Sequence, residues 1–434
     1  MRFLPIAALL ASALPALADD WPQWLGPKRD SVWRESGIID TFPEGGPKVL
    51  WRAPVAGGFA GPAVAGGRVY VADYVTDGDL KKEVFDRTNF QGRERLRCLD
   101  SKSGKEIWKH EYDCRYTVSY PTGPRCTPTV AGGKVYFLGT EGNLTCLDAA
   151  KGTVIWAKDF KADYGAKTAI WGYASHPLVD GKLLYCVVGG EGSCAVAFDK
   201  DTGKEVWKAL TAEEQGYSPP TMIEAGGTKQ LLIWHATSIN ALDPATGKKH
   251  WTVPLQIGEF KTSIMTPRKD GDLLYAAGEG ANAVMVKLAA DKPDATVLWR
   301  GKKTNAVYPM HMTPFFENGY IYGVDGSGPL RCVKAQTGER IWETLAPFDG
   351  KANGASTAFI VKNGERFFLF TEKGDLIIAK LTPEKYEEVS RAHLLEPTTT
   401  AFGRSVVWSH PAFADKCVFA RNDKEIVCVS LAKE

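Results

Sequence analysis

Short apolar runs, roughly four to eight residues long, are separated by polar turns and recur along the chain in one fixed order. A loop ending near a proline leads into a strand, a Gly-Gly or Asp-Gly turn, a second strand, a polar turn, and a third strand ending in Leu-Asp or a close variant. A Thr-Gly or Ser-Gly turn and a tryptophan follow. The closing stretch reads LDSKSGKEIW up to Trp108, LDAAKGTVIW up to Trp156, FDKDTGKEVW up to Trp207, LDPATGKKHW up to Trp251 and VKAQTGERIW up to Trp342. At Trp299 it has drifted to LAADKPDATVLW, which keeps the tryptophan and loses the glycine. A further copy over residues 356–381 keeps its strands but continues into TPEKYEEVS where the tryptophan should stand.

The two ends of the chain are complementary. Trp51 lies in KVLWRAPV, the last strand of a copy with no earlier strands before it, while residues 409–431 supply the earlier strands of a copy with no tryptophan strand after it. Joining them closes a ring and leaves no half-sheet at either end. The repeat, roughly 45–55 residues long, suits a four-stranded propeller blade. The sequence therefore predicts an all-β, eight-bladed β-propeller closed by the strand around Trp51 pairing with the C-terminal blade. Residues 1–18 read as a signal peptide, 19–47 as an N-terminal extension and 48–434 as a single propeller domain.

Each repeated residue type has a local task. Asp100, Asp148, Asp199 and Asp243 can accept bonds from the amides of the turn that follows, and Gly104, Gly152, Gly203, Gly247 and Gly338 can take the positive φ of a tight hairpin. Trp51, Trp108, Trp156, Trp207, Trp251, Trp299 and Trp342 are expected to fill the wedges between neighbouring blades.

Composition adds little to the fold and removes some functions. With 44% hydrophobic and 24% charged residues there is no signature of disorder, and 44 glycines suit a chain made largely of turns. The 53 basic and 51 acidic residues leave a formal charge of +2, which gives no case for nucleic acid or an anionic membrane. Arg2 precedes an apolar stretch over residues 3–17, and Ala16-Leu17-Ala18 fits a signal-peptidase site. The stretch is too short for a transmembrane anchor. The expectation is cleavage near Ala18 and a monomeric protein, periplasmic or secreted.

Cys98, Cys146, Cys332 and Cys428 share the third-strand position, a core pattern. Three pairs are candidates for a disulfide: Cys417 with Cys428 across the Asn422-Asp423 turn, Cys186 with Cys194, and Cys114 with Cys126. No spacing has the form of a zinc site. Residues 75–92, carrying Asp77, Asp79, Lys81, Lys82, Glu83 and Asp86, form a charged excursion from the first blade, either a solvated loop or a partner-docking arm or lid.

The motif L-D-x-x-T-G-x-x-x-W resembles the repeat of the pyrroloquinoline quinone (PQQ)-type propellers, a family that includes the quinoprotein alcohol dehydrogenases and BamB, a subunit of the outer-membrane assembly machinery. The stretches WPQWLGPKRDSV, GPRCTP (123–128), WGYASHP (171–177) and GYSPP (216–220) are similar to those of exported PQQ-like propellers. The resemblance implies two functions. One is a non-catalytic binding or scaffold module, with no catalytic residue, cofactor or metal, taking a periplasmic protein or a small ligand at the rim of the channel. The alternative is a quinoprotein oxidoreductase acting on alcohols or sugars, with PQQ and calcium. The vicinal cysteine pair of the dehydrogenases and the lipidated cysteine of BamB have no counterpart here.

In a propeller the residues just before each innermost strand ring the channel mouth. Those segments offer Tyr120, Arg125, Trp171, Tyr173, Tyr217, His311, Arg404 and Trp408 as rim candidates, with Lys261, Tyr308, His176 and His410 beside them. Aromatic and arginine side chains converging there can stack on and hydrogen-bond a ring-bearing, sugar-like or anionic partner, or simply pack the channel. His176 and His410, both in Ser-His-Pro, are expected to make a structural hydroxyl–imidazole bond; His311 is the one candidate general base.

Overall fold

Each repeat folds into a four-stranded antiparallel sheet, and eight such sheets make up the computed structural model, which describes residues 19–80 and 86–433. The expected signal peptide and the centre of the charged excursion, including Lys81, Lys82 and Glu83, lie outside the described residues. The innermost strands of blades 1 to 8 are Ala63–Ala65, Thr129–Ala131, Leu178–Asp180, Thr221–Ala225, Arg268–Asp270, Phe315–Glu317, Ala358–Asn363 and Ala412–Ala414. Strand Val49–Pro54 completes blade 8 by pairing with Glu425–Ser430, with Trp51 opposite Cys428. Helix is limited, among the described residues, to Phe160–Tyr164, capped by the Asp159 carboxylate, and one 3-10 turn at Ala346–Phe348. Among the described residues no helix is long and apolar enough to cross a membrane.

The blade tryptophans and the turn glycines turn out to be one device. The indole N–H of Trp51 donates to the Ser101 carbonyl of blade 1, Trp108 to Ala149 of blade 2, Trp156 to Lys200 of blade 3 and Trp207 to Pro244 of blade 4. In each case the acceptor follows the turn aspartate. The ring lies against the turn glycine so closely that a Cβ on Gly104 would stand 2.5 Å from Trp51. That contact, as much as the φ of +69° at Gly104, excludes any larger residue. Trp251 packs in a core shared by residues of blades 4 and 5, but its indole donates to Gln230 Oε1 within its own blade, at 2.7 Å. The turn aspartates do accept as expected, Asp100 from the amides of Lys102 and Ser103.

All nine cysteines are buried free thiols. The register sets Cys417 opposite Ser430 and Cys428 opposite Phe419, so that candidate pair is diagonal across the hairpin instead of facing. Cys186 lies opposite Val196, one turn of the pleat away from Cys194.

The N-terminal extension is a strap across one end of the channel, a role its sequence does not announce. Trp21 exchanges backbone bonds with Val64 of blade 1, and the Val130 N–H of blade 2 donates to the Pro22 carbonyl. Arg29 donates to the carbonyls of Pro177 and Pro220, and Arg268 of blade 5 donates to those of Arg29 and Asp30. The strap then bonds Lys362 of blade 7, and the Ile39 N–H reaches the Leu431 carbonyl at the end of blade 8.

Candidate functional site

A single repeat position builds the centre of the ring. The third residue before each blade-entry proline is Phe59, Arg125, Ala174, Tyr217, Ile264, His311 or Trp408, and every one of these lines a cavity of about 180 Å³ on the channel axis. Blade 7 has no such proline and contributes Phe359 from its inner strand. The entry loops can converge this tightly because glycine stands where neighbouring loops cross. A Cβ on Gly61 would lie 2.2 Å from the His410 carbonyl, and one on Gly123 2.3 Å from that of Gly57.

The strap turns this channel into a cup. Trp24, 9% exposed, closes one end, stacking on His176 at 4.1 Å and 10° and meeting His410 edge-on at 5.0 Å. Its indole N–H is fixed by Thr266 Oγ1 at 2.9 Å. At the other end Phe402, 43% exposed, sits at the tip of a hairpin, Thr399–Ala401 with Arg404–Val406, inserted between blades 7 and 8. Trp408 lies 4.1 Å from the His311 ring and is oriented by Glu372, whose carboxylate accepts from Trp408 Nε1 at 3.4 Å. Trp171 packs on Tyr217 at 5.7 Å and on the exposed Phe260 at 5.6 Å.

Of the rim candidates, Tyr120, Arg125, Trp171, Tyr217, His311 and Trp408 line the cup, together with His176 and His410. Tyr173 does not. It is buried against Phe160, with its hydroxyl donating to the Val188 carbonyl at 2.8 Å. Arg404 is also absent from the lining and is paired with Glu372 at 3.0 Å. Lys261 pairs with Glu213, and Tyr308 borders a separate groove between blades 5 and 6. Sequence reasoning missed Phe59, Ala174 and Ile264, which the proline register would have found, and Trp24, which lies outside the repeats.

The Ser-His-Pro histidines are structural in a way other than expected. Neither bonds to its serine. The Thr127 N–H donates to His176 Nδ1 at 2.9 Å, and His410 Nδ1 donates to the Pro411 carbonyl at 2.6 Å. Burial pushes His410 and His311 down to about 4 and His176 well below the ordinary histidine value, the last helped by Arg29 and His410 nearby. At neutral pH the cup is thus an aromatic barrel with three neutral imidazoles and one formal charge, Arg125, whose ionised form burial disfavours. Among the described residues no cluster of three or more His, Cys, Asp or Glu is placed to hold a metal ion.

The architecture recurs in solved structures. BamB from Moraxella catarrhalis aligns with a TM-score of 0.58 at 16% identity, over 88% of this chain and 97% of that one. The quinohemoprotein alcohol dehydrogenase of Comamonas testosteroni aligns at 0.61 and 14%, over 96% and 81% respectively. A europium-containing methanol dehydrogenase aligns at 0.59 and 14%, over 95% and 89%. At these identities the likeness is one of fold, shared by catalytic and non-catalytic proteins. No curated protein matches the chain. A family model does, over residues 92–232 and 235–434, and by that match the chain belongs to the PQQ-repeat family described as outer membrane protein assembly factor BamB.

Proposed function

We propose that this propeller works by binding: the central cup holds one ring-bearing group of a ligand or partner protein and performs no chemistry on it. The observation that carries this reading is a largely apolar cup of about 180 Å³, closed by Trp24 and lined from all eight blades. Such a space is close to one that holds a single benzene, about 150 Å³. Concave, mostly apolar surfaces with a few placed polar groups are the usual form of a ligand site.

The oxidoreductase alternative finds less support in the same residues. PQQ is a fused three-ring tricarboxylate, larger than this cup, and Arg125 is the one cation on the wall. A calcium ion beside it would want several convergent oxygens, whereas no carboxylate lines the cup. The residues do not fit that cofactor. Export to the periplasm or beyond is part of the proposal and rests on Arg2, the apolar stretch that follows and the Ala16-Leu17-Ala18 site.

The test is calorimetric titration with benzyl alcohol, a neutral single-ring probe. Saturable one-to-one binding that is lost in Ala174→Trp, where an indole fills the cup, is the expected result. No binding, or binding unchanged in that variant, sinks the reading.

A further inference from the structure

The polar atoms of the cup are few, and hydrogen bonds settle what each can offer. His176 Nδ1 accepts the Thr127 N–H, so the proton of its neutral ring resides on Nε2. At His410 the order is reversed. Nδ1 faces the Pro411 carbonyl, which can only accept, so Nδ1 carries the proton and Nε2 the lone pair. No hydrogen bond from a described residue occupies either Nε2, and both rings line the cavity. The closed end of the cup therefore presents one N–H donor and one nitrogen acceptor, beneath the rings of Trp24 and Phe359. A hydroxyl, which donates one hydrogen and accepts another, is the group that satisfies both.

Arg125 supplies the second half of the pattern. It is only partly buried, and its guanidinium donates to the carbonyls of Gly123, Ser119 and Tyr120 while lying 5.3 Å over the Phe59 ring. Three of its five N–H donors are thereby used. The Glu94 and Glu141 carboxylates lie near enough to favour its charged form but are not on the wall, where Arg125 is the one charged side chain. A cation at the edge of an apolar barrel, with donors to spare, favours an anion attached to the ring that fills the barrel.

We propose that the cup is selective for a hydroxyphenyl carboxylate, its hydroxyl between His176 and His410 and its carboxylate on Arg125. This rests on the binding reading above and narrows it to one ring, one hydroxyl and one acid. Two sources carry that chemistry: a free hydroxyphenyl acid, and a tyrosine at the C-terminus of a polypeptide.

The experiment compares affinities for 4-hydroxyphenylacetate, phenylacetate and 4-hydroxyphenylacetamide by calorimetry on the folded protein, with benzyl alcohol as the neutral baseline. Removing the hydroxyl or the charge should each weaken binding at least about tenfold, the scale of one lost hydrogen bond in a desolvated site. Equal affinity for all three, with benzyl alcohol still bound, overturns the proposal and leaves the cup reading intact. Failure of benzyl alcohol as well means the cup reading itself has failed. A short peptide ending in tyrosine, binding as well as the free acid and losing affinity when amidated, assigns the polypeptide source; binding of the free acid alone assigns the small molecule. His410→Phe should abolish the preference for the hydroxyl. Since the ligand comparison needs no variant, it stands even if His410→Phe fails to fold.

Discussion

Acid should destabilise this propeller well before its carboxylates titrate, and His410 is the group through which to see it. Its ring is 5% exposed and held neutral, with burial pushing its pKa from 6.5 to about 4. Because the folded value is depressed, the unfolded chain takes up the proton first as pH falls. The stabilising contribution is therefore complete above 6.5 and is lost progressively as pH drops towards 4. One pKa unit is worth about 1.4 kcal/mol, so the ceiling is roughly 3 kcal/mol, of which about 2 kcal/mol is lost between pH 7 and pH 4.5. His176 acts in the same direction. His311 does too, with a smaller effect because it is only half-buried. The assay is urea unfolding followed by far-UV circular dichroism at both pH values, once refolding has been shown to be complete. His410→Gln lowers stability at both, but it should lose about 2 kcal/mol less than the parent on going from pH 7 to 4.5. Parallel losses in parent and variant would refute the reasoning, because His410 would then not be held neutral by the fold.

Three further outcomes are expected. Gly104→Ala should cost about 2–4 kcal/mol, combining a φ of +69° with a Cβ placed 2.5 Å from the Trp51 ring; Gly133→Ala, with φ +75° and open space around it, should cost only about 1 kcal/mol in the same melts. Trp24→Ala should lower stability by about 3–5 kcal/mol and weaken benzyl alcohol binding at least tenfold by removing the floor of the cup; unchanged binding would show that the strap does not close it. Ellman's reagent should find almost no reactive thiol in the native protein and nine after denaturation without reductant; fewer than nine would reveal a disulfide.

How much of this could be read in advance depends on where the information sits. The blades are legible because the same Asp, Gly and Trp answer the same local need at each turn, and a departure such as LAADKPDATVLW marks the place where the Trp251 indole bonds Gln230 of its own blade. The rim was legible in part. Arg125, Tyr217, His311 and Trp408 stand out as chemically rich, but their shared distance from a proline is what puts them in one ring, and Phe59 and Ile264 qualify by that distance although their chemistry is plain. Tyr173, two residues from Trp171, points the other way because the loop turns there, at Gly172 with φ +73°. Trp24 was beyond reach, since its place depends on a strap whose contacts come from distant blades and leave no periodicity.

The seam at blade 8 has a consequence for how the molecule folds. Arg52 and its ion-pair partner Glu425 are 373 positions apart, and the strap that carries Trp33 rests on Phe368 and Phe413. During synthesis strand Val49–Pro54 therefore has no partner until Glu425–Ser430 has been made, whereas each of blades 1 to 7 can assemble from its own local hairpins. Contacts of such separation carry the largest loop-closure cost and form slowly. Closure of the ring is expected to be the last and slowest step, and until it occurs the edge at Val49–Pro54 and the unlidded channel are open to association with other chains.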